Sequence, residues 1–205
     1  MNLFHLLTEK PWAPAPGGVV DLRHGSTFSL PTATLGLRVF LAVVSVLFSL
    51  LIVAYHDRMM VADWRPLAEP WLLWLNTAVL ILSSVALQWA RVAARRGAID
   101  DVRTGLLAGG VCAFAFLAGQ LLASQQLAAL GYFAATNPAI AFFYLITGLH
   151  AAHLLGGLVA WGRTTAKLRR GIAVAQLRLS VELCAVYWHF LLVVWLLLFG
   201  LLLST

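Results

Sequence analysis

Long apolar runs alternate with short segments that hold nearly all of the charge in this chain. Five runs stand out: near Leu35–Tyr55, Trp71–Ala90, Thr104–Gln125, Ala139–Gly162 and Leu177–Leu203. About 20 apolar residues in a helix cross the hydrocarbon core of a bilayer, so each run is long enough to span one. None shows the ten-residue alternation of a membrane barrel. In lipid every backbone polar group must be satisfied within the segment, so the runs are expected to be helices. The first ends at His56-Asp57-Arg58 and the second at Arg91, while Asn137-Pro138 forms a helix-start pair before the fourth. The pattern predicts an all-α integral membrane protein. Its 35–205 region forms a five-helix transmembrane bundle, preceded by a 1–34 segment. Glu9, Lys10, Pro11, Pro14 and Pro16 interrupt that segment, so no cleavable leader is expected there. Leu3, Phe4, Leu6 and Leu7 could form a short interfacial anchor.

Composition agrees with this pattern. Of 205 residues, 61% are hydrophobic and only 11% charged, against about 25% charged in ordinary soluble domains. The chain has too few polar residues to cover a soluble fold, which excludes an ordinary soluble enzyme, a disordered chain and a nucleic-acid-binding module. The net charge of +6 follows the connecting segments and reads as a topogenic bias rather than a polyanion site. Twelve Lys and Arg residues fall on the side shared by the N-terminus, the second loop and the fourth loop: Lys10, Arg23, Arg38, Arg91, Arg95, Arg96, Arg103, Arg163, Lys167, Arg169, Arg170 and Arg178. Only Arg58 and Arg65 fall on the other. The N-terminus is therefore expected in the cytoplasm and the C-terminus outside. Cys112 and Cys184 lie within apolar runs without metal-type spacing and read as free buried thiols.

Polar residues inside a span are costly, so each needs a reason. Asn76, Thr77, Ser83, Ser84 and Gln88 fall in the second span, Gln120 in the third, Thr147, His150 and His153 in the fourth, and Glu182 and His189 in the fifth. Small residues crowd the third and fourth spans, as close helix packing with interhelical hydrogen bonds requires. His150 and His153 share a helix face. Glu182 stands two turns from His189, about 10 Å along the axis, and further carboxylate ligands inside the membrane are lacking. Neutral, hydrogen-bonded histidines are thus expected in preference to a metal site. Spacing alone does not decide against haem. Arg178 lies four residues before Glu182 on the same face, but Arg178 can reach water unaided. Glu182 is expected to bond a polar group on a neighbouring helix. The chain shows no acid pair, phosphate loop or nucleophile with a base.

Several segments resemble subunit III of the haem–copper terminal oxidases. Leu75-Asn76-Thr77 precedes Ser83-Ser84, and Phe116-Leu117 precedes Gln120. FFYLITGLHAAHLLGGL runs from Phe142 to Leu158, and VELCAVYWHFLLVVWLLLF from Val181 to Phe199. Length and span number are similar to the bacterial form lacking the family's first two helices. The resemblance implies a non-catalytic accessory subunit of a respiratory, oxygen-reducing complex in the bacterial inner membrane. Such a subunit supports the stability, lipid binding and sustained turnover of a catalytic subunit. By the same resemblance, haem and copper are expected in that partner, phospholipids bind this chain, and no cofactor, metal or nucleic acid does. The alternative is an accessory subunit of a nitric-oxide-reductase-type or other denitrification complex. Asn76, His150, His153, Glu182, Trp188 and His189 fall on the family's motif positions and are expected to form a polar seam between helices. Val44 or Ser45, Ala123 and Leu192 stand where the family often carries carboxylates, which detaches this chain from roles that need an acid there.

Overall fold

The computed structural model describes residues 32–61, 71–131 and 138–204. The possible anchor at Leu3–Leu7 and most of the 1–34 segment lie outside them. The described residues form five helices: α1 (Thr32–Met59), α2 (Leu72–Arg96), α3 (Ile99–Ala129), α4 (Pro138–Arg169) and α5 (Val174–Leu203). All five carry stretches long and apolar enough to cross a membrane. The helices outrun the apolar runs because their ends are amphipathic: α2 continues through Arg91 to Arg96, and α3 starts before Thr104 with Asp100 and Asp101 in its first turn. Acidic groups at a helix start and basic groups at a helix end both oppose the helix dipole. Arg95 and Arg96 end α2 in this way, and Lys167 and Arg169 end α4. Pro138 opens α4, where its missing N–H costs nothing.

Residues Ala33–Thr205 form one compact unit. Only Gly97 and Ala98 link α2 to α3, and Gly97, at φ 76°, takes the left-handed cap that lets α2 stop so abruptly. α2 packs most extensively against α3 and next against α5, while α4 packs against α5 and, less, against α3. The arginine-rich end of this four-helix core is filled by small and medium side chains such as Ala90, Ala93, Leu106, Ala113, Cys184 and Ala185. Toward the opposite end the core is larger and more aromatic, with Phe116, Phe143, Trp195 and Phe199. There α1 joins it through Val44, Phe48 and Tyr55. Rings make several of its contacts: Phe48 with His150 and His153, Phe40 with His153 and Tyr187, and Tyr55 with Phe142. The rest of α1, including Val39, Val43, Val46, Leu50 and Val53, is exposed, as suits a lipid-facing helix.

Candidate functional site

Hydroxyl groups in a bilayer have no water to turn to, and most here satisfy their own helix. Ser45, Thr77, Thr104, Ser124, Thr147 and Thr164 each donate to the carbonyl four residues earlier. A hydroxyl used this way can still accept. Thr77 Oγ1 accepts from Trp195 Nε1 at 2.9 Å. Ser83 instead donates across to Gly109 O on α3 at 2.8 Å and accepts from Trp188 Nε1 on α5 at 2.9 Å, so one buried serine joins three helices.

These bonds belong to a longer seam between α2 and α5. His189 hydrogen-bonds Ser84 through Nδ1 and Gln88 Oε1 through Nε2, the latter at 3.0 Å. Glu182 Oε1 accepts from Arg91 Nη2 at 2.6 Å and from Arg95 Nη2 at 2.5 Å. Thr77, Ser84 and Arg91 lie seven residues apart on α2, as do Trp188 and Trp195, and Glu182 and His189, on α5. A seven-residue recurrence keeps facing positions in register along two helices that coil gently around one another. Membrane bundles commonly pack this way. Glu182 therefore bonds across to α2, where its partners are two guanidinium groups.

The structure divides the six residues expected on motif positions. Glu182, Trp188 and His189 lie in the α2–α5 seam. Asn76, beside Thr77, presses against α3 at Gly119: a Cβ added there would lie 2.7 Å from Asn76 Cγ and 2.8 Å from Nδ2, so a side chain at 119 would have to displace this amide. His150 is buried among the rings of Phe48, Phe116 and Trp195, and neither ring nitrogen has a hydrogen-bond partner among the described residues. His153 bonds Leu149 O through Nδ1 at 2.8 Å, and its own carbonyl accepts from Tyr187 Oη at 2.9 Å. Thr77, Ser83, Ser84, Gln88 and Trp195 were visible as intramembrane polar or motif residues without assigned partners. In the sequence alone, Arg91 and Arg95 count only as loop charges. Arg91 stands seven residues after Ser84 and Arg95 seven after Gln88, which is the available signal. Among the described residues, no three His, Cys, Asp or Glu side chains converge as a metal site would need.

A family model described as cytochrome c oxidase subunit III matches residues 32–203, through all five helices. The chain belongs to the cytochrome c oxidase subunit III family. The cytochrome c oxidase subunit 3 of Thermostichus vulcanus is 34% identical over 173 residues, covering 82% of this chain and 85% of that protein. The subunit 3 of Corynebacterium diphtheriae is 32% identical over 123 residues, covering 60% of each chain. A probable subunit 3 of Mycobacterium tuberculosis is 33% identical over 126 residues, covering 60% of this chain and 61% of its own length. Oxidase subunits thus surround this chain in sequence, which favours the oxidase over the nitric-oxide-reductase-type alternative.

A second feature of this subunit III relative is a cleft of about 400 Å³ between α1, α4 and α5, lined by Leu37, Phe40, Gly156, Ala160, Cys184 and Tyr187 along its depth. Arg163, Lys167 and Ser180 stand at its arginine-rich end, where Lys167 Nζ donates to Ser180 Oγ at 3.4 Å. Gly156 to Lys167 spans eleven residues, or about 16 Å of helix, close to the roughly 15 Å depth of one hydrocarbon leaflet.

Proposed function

We propose that the chain is the non-catalytic accessory subunit of a bacterial respiratory haem–copper oxidase. It sits in the inner membrane with its N-terminus in the cytoplasm and its C-terminus outside. The observation that carries this reading is the family match through every helix, together with what the intramembrane polar groups do: those of the α2–α5 seam bond to each other across helices. Asn76, His150, His153, Glu182, Trp188 and His189 serve this scaffold rather than a reaction. Oxygen reduction belongs to the haem and copper of the partner catalytic subunit, and this chain sustains that subunit during turnover. In a strain lacking this chain, the remaining complex should show most of the initial oxygen consumption, then lose activity several-fold faster during turnover. Complete loss of the first turnovers from a correctly assembled remainder would overturn the accessory role.

The charge asymmetry supports the orientation. Alkaline phosphatase fused after Thr205 should be active, and a fluorescent cytoplasmic reporter there should be dark. The reverse pair of results would invert the topology.

The α1–α4–α5 cleft supports phospholipid binding, with an acyl chain along Phe40, Gly156 and Ala160 and an anionic headgroup at Arg163 and Lys167. Native mass spectrometry of the purified complex should find phospholipid on this subunit, reduced severalfold by Arg163→Ala with Lys167→Ala. Equal lipid content in the double variant would remove the cleft from this role.

A further inference from the structure

The α2–α5 seam has an outer edge. The bond between His189 and Gln88 lies at the surface, as does that between Arg95 and Glu182. Gln88 is exposed and His189 half-buried. Arg91, Arg95 and Glu182 keep 24%, 47% and 30% of their side-chain surface, so none is sealed inside the bundle.

Depth makes this edge unusual. Ser84 is the middle residue of α2, and Trp188 and His189 are the middle residues of α5. Gln88 lies about 6 Å and Arg91 about 10 Å along the axis from that middle, inside the roughly 15 Å half-thickness of the hydrocarbon, whereas Arg95, about 16 Å out, starts at its edge and reaches inward to Glu182. Arginine can stretch toward the headgroups, whereas a glutamine amide or an imidazole at this depth is too short to do so. Acyl chains offer such groups no hydrogen bond, so polar groups at this level face protein or a water-filled cavity. The seam also leaves a charge over. Two guanidinium groups converge on one carboxylate oxygen, and the edge carries a net positive charge.

We propose that the face formed by Gln88, Arg91, Arg95, Glu182 and His189 receives a transmembrane helix of the partner catalytic subunit that carries a carboxylate at the depth of Arg91 and Glu182, where the two guanidinium groups meet. This inference rests on the accessory-subunit reading and adds the surface and its chemistry. A carboxylate neutralises the surplus guanidinium charge in low dielectric, where a charge-assisted pair is strong. A neighbouring polar side chain takes the outward amide hydrogens of Gln88.

The test uses the whole complex in its native membrane. A photoreactive benzoylphenylalanine at position 88 should crosslink to the catalytic subunit, and one at position 46, on the exposed side of α1, should not. Arg95→Glu, which leaves Arg91 to hold Glu182, should lower retention of this chain in the purified complex at least tenfold, and Arg95→Lys should restore most of it. Wild-type chain that does not co-purify with a haem–copper subunit would overturn the accessory reading itself. Co-purification of the wild type with no crosslink from position 88 and full retention of Arg95→Glu would overturn the docking face alone. So would loss of anionic lipid from Arg95→Glu with the subunit fully retained, since the face would then hold a headgroup.

Discussion

Replacing Gly119 by leucine should prevent the bundle from closing. The added Cβ alone would collide with the Asn76 amide, whose Cγ and Nδ2 would lie 2.7 and 2.8 Å away. The rest of a leucine would have to enter a contact that already joins α2 to α3 closely. Overpacking of this kind costs about 3 kcal/mol or more, enough to reduce the subunit severalfold in membranes. Gly119→Ala should be milder, at about 1–3 kcal/mol, read as a lower melting temperature of the purified subunit. Adding Asn76→Ala to Gly119→Ala should recover most of that loss, because it removes the atoms in the way. If Gly119→Ala melted like the wild type, the amide would have room to turn aside and the contact would not be tight.

Ser83→Ala should be the most damaging small change in the polar seam. It strands the Trp188 indole N–H inside the membrane and also breaks the bond to α3, whose Gly109 carbonyl keeps only its own helical partner. An unsatisfied buried group costs about 1–3 kcal/mol, although interhelical bonds in membranes often measure near 0.6 kcal/mol. A loss of about 2 kcal/mol in subunit stability is therefore expected. Thr77→Val should cost less. It strands the Trp195 N–H but breaks no second bond between helices, since the other bond of Thr77 lies within its own helix. In a double-mutant cycle, Ser83→Ala with Trp188→Phe should cost clearly less than the two single changes added together. Strict additivity would mean that the indole and the hydroxyl do not depend on each other.

The helices were legible in the sequence because membrane spanning is a constraint of length and composition, and both can be read from residues in order. Partner choice was harder to read. Trp188, His189 and Glu182 drew attention through motif resemblance, but their partners could not be named, since hydrogen bonds between helices join residues about a hundred positions apart. Arg91 and Arg95 show why. In the charge count they mark the side of the membrane, and the same residues hold Glu182 in the folded chain. His150 shows the opposite problem. Its spacing from His153 suggested a shared polar function, yet the fold surrounds it with the rings of Phe48, Phe116 and Trp195. Only the three-dimensional packing of four helices decides that environment.

The seven-residue recurrence in the α2–α5 seam carries an ambiguity that Glu182 removes. If α5 slid along α2 by one repeat, about 10 Å, the indole of Trp195 would leave Thr77 and meet Ser84, another hydroxyl. One hydroxyl–indole pair thus survives the slide, while Trp188 would leave Ser83 for Ala90. The Glu182 pairing does not survive, because the slide would carry the carboxylate past the end of α2 and away from Arg91 and Arg95. Single polar residues fix the alignment of coiled coils in the same way, by making every wrong pairing expensive. The carboxylate at the arginine-rich end acts as an index mark, and the two tryptophans supply adhesion at the alignment it selects.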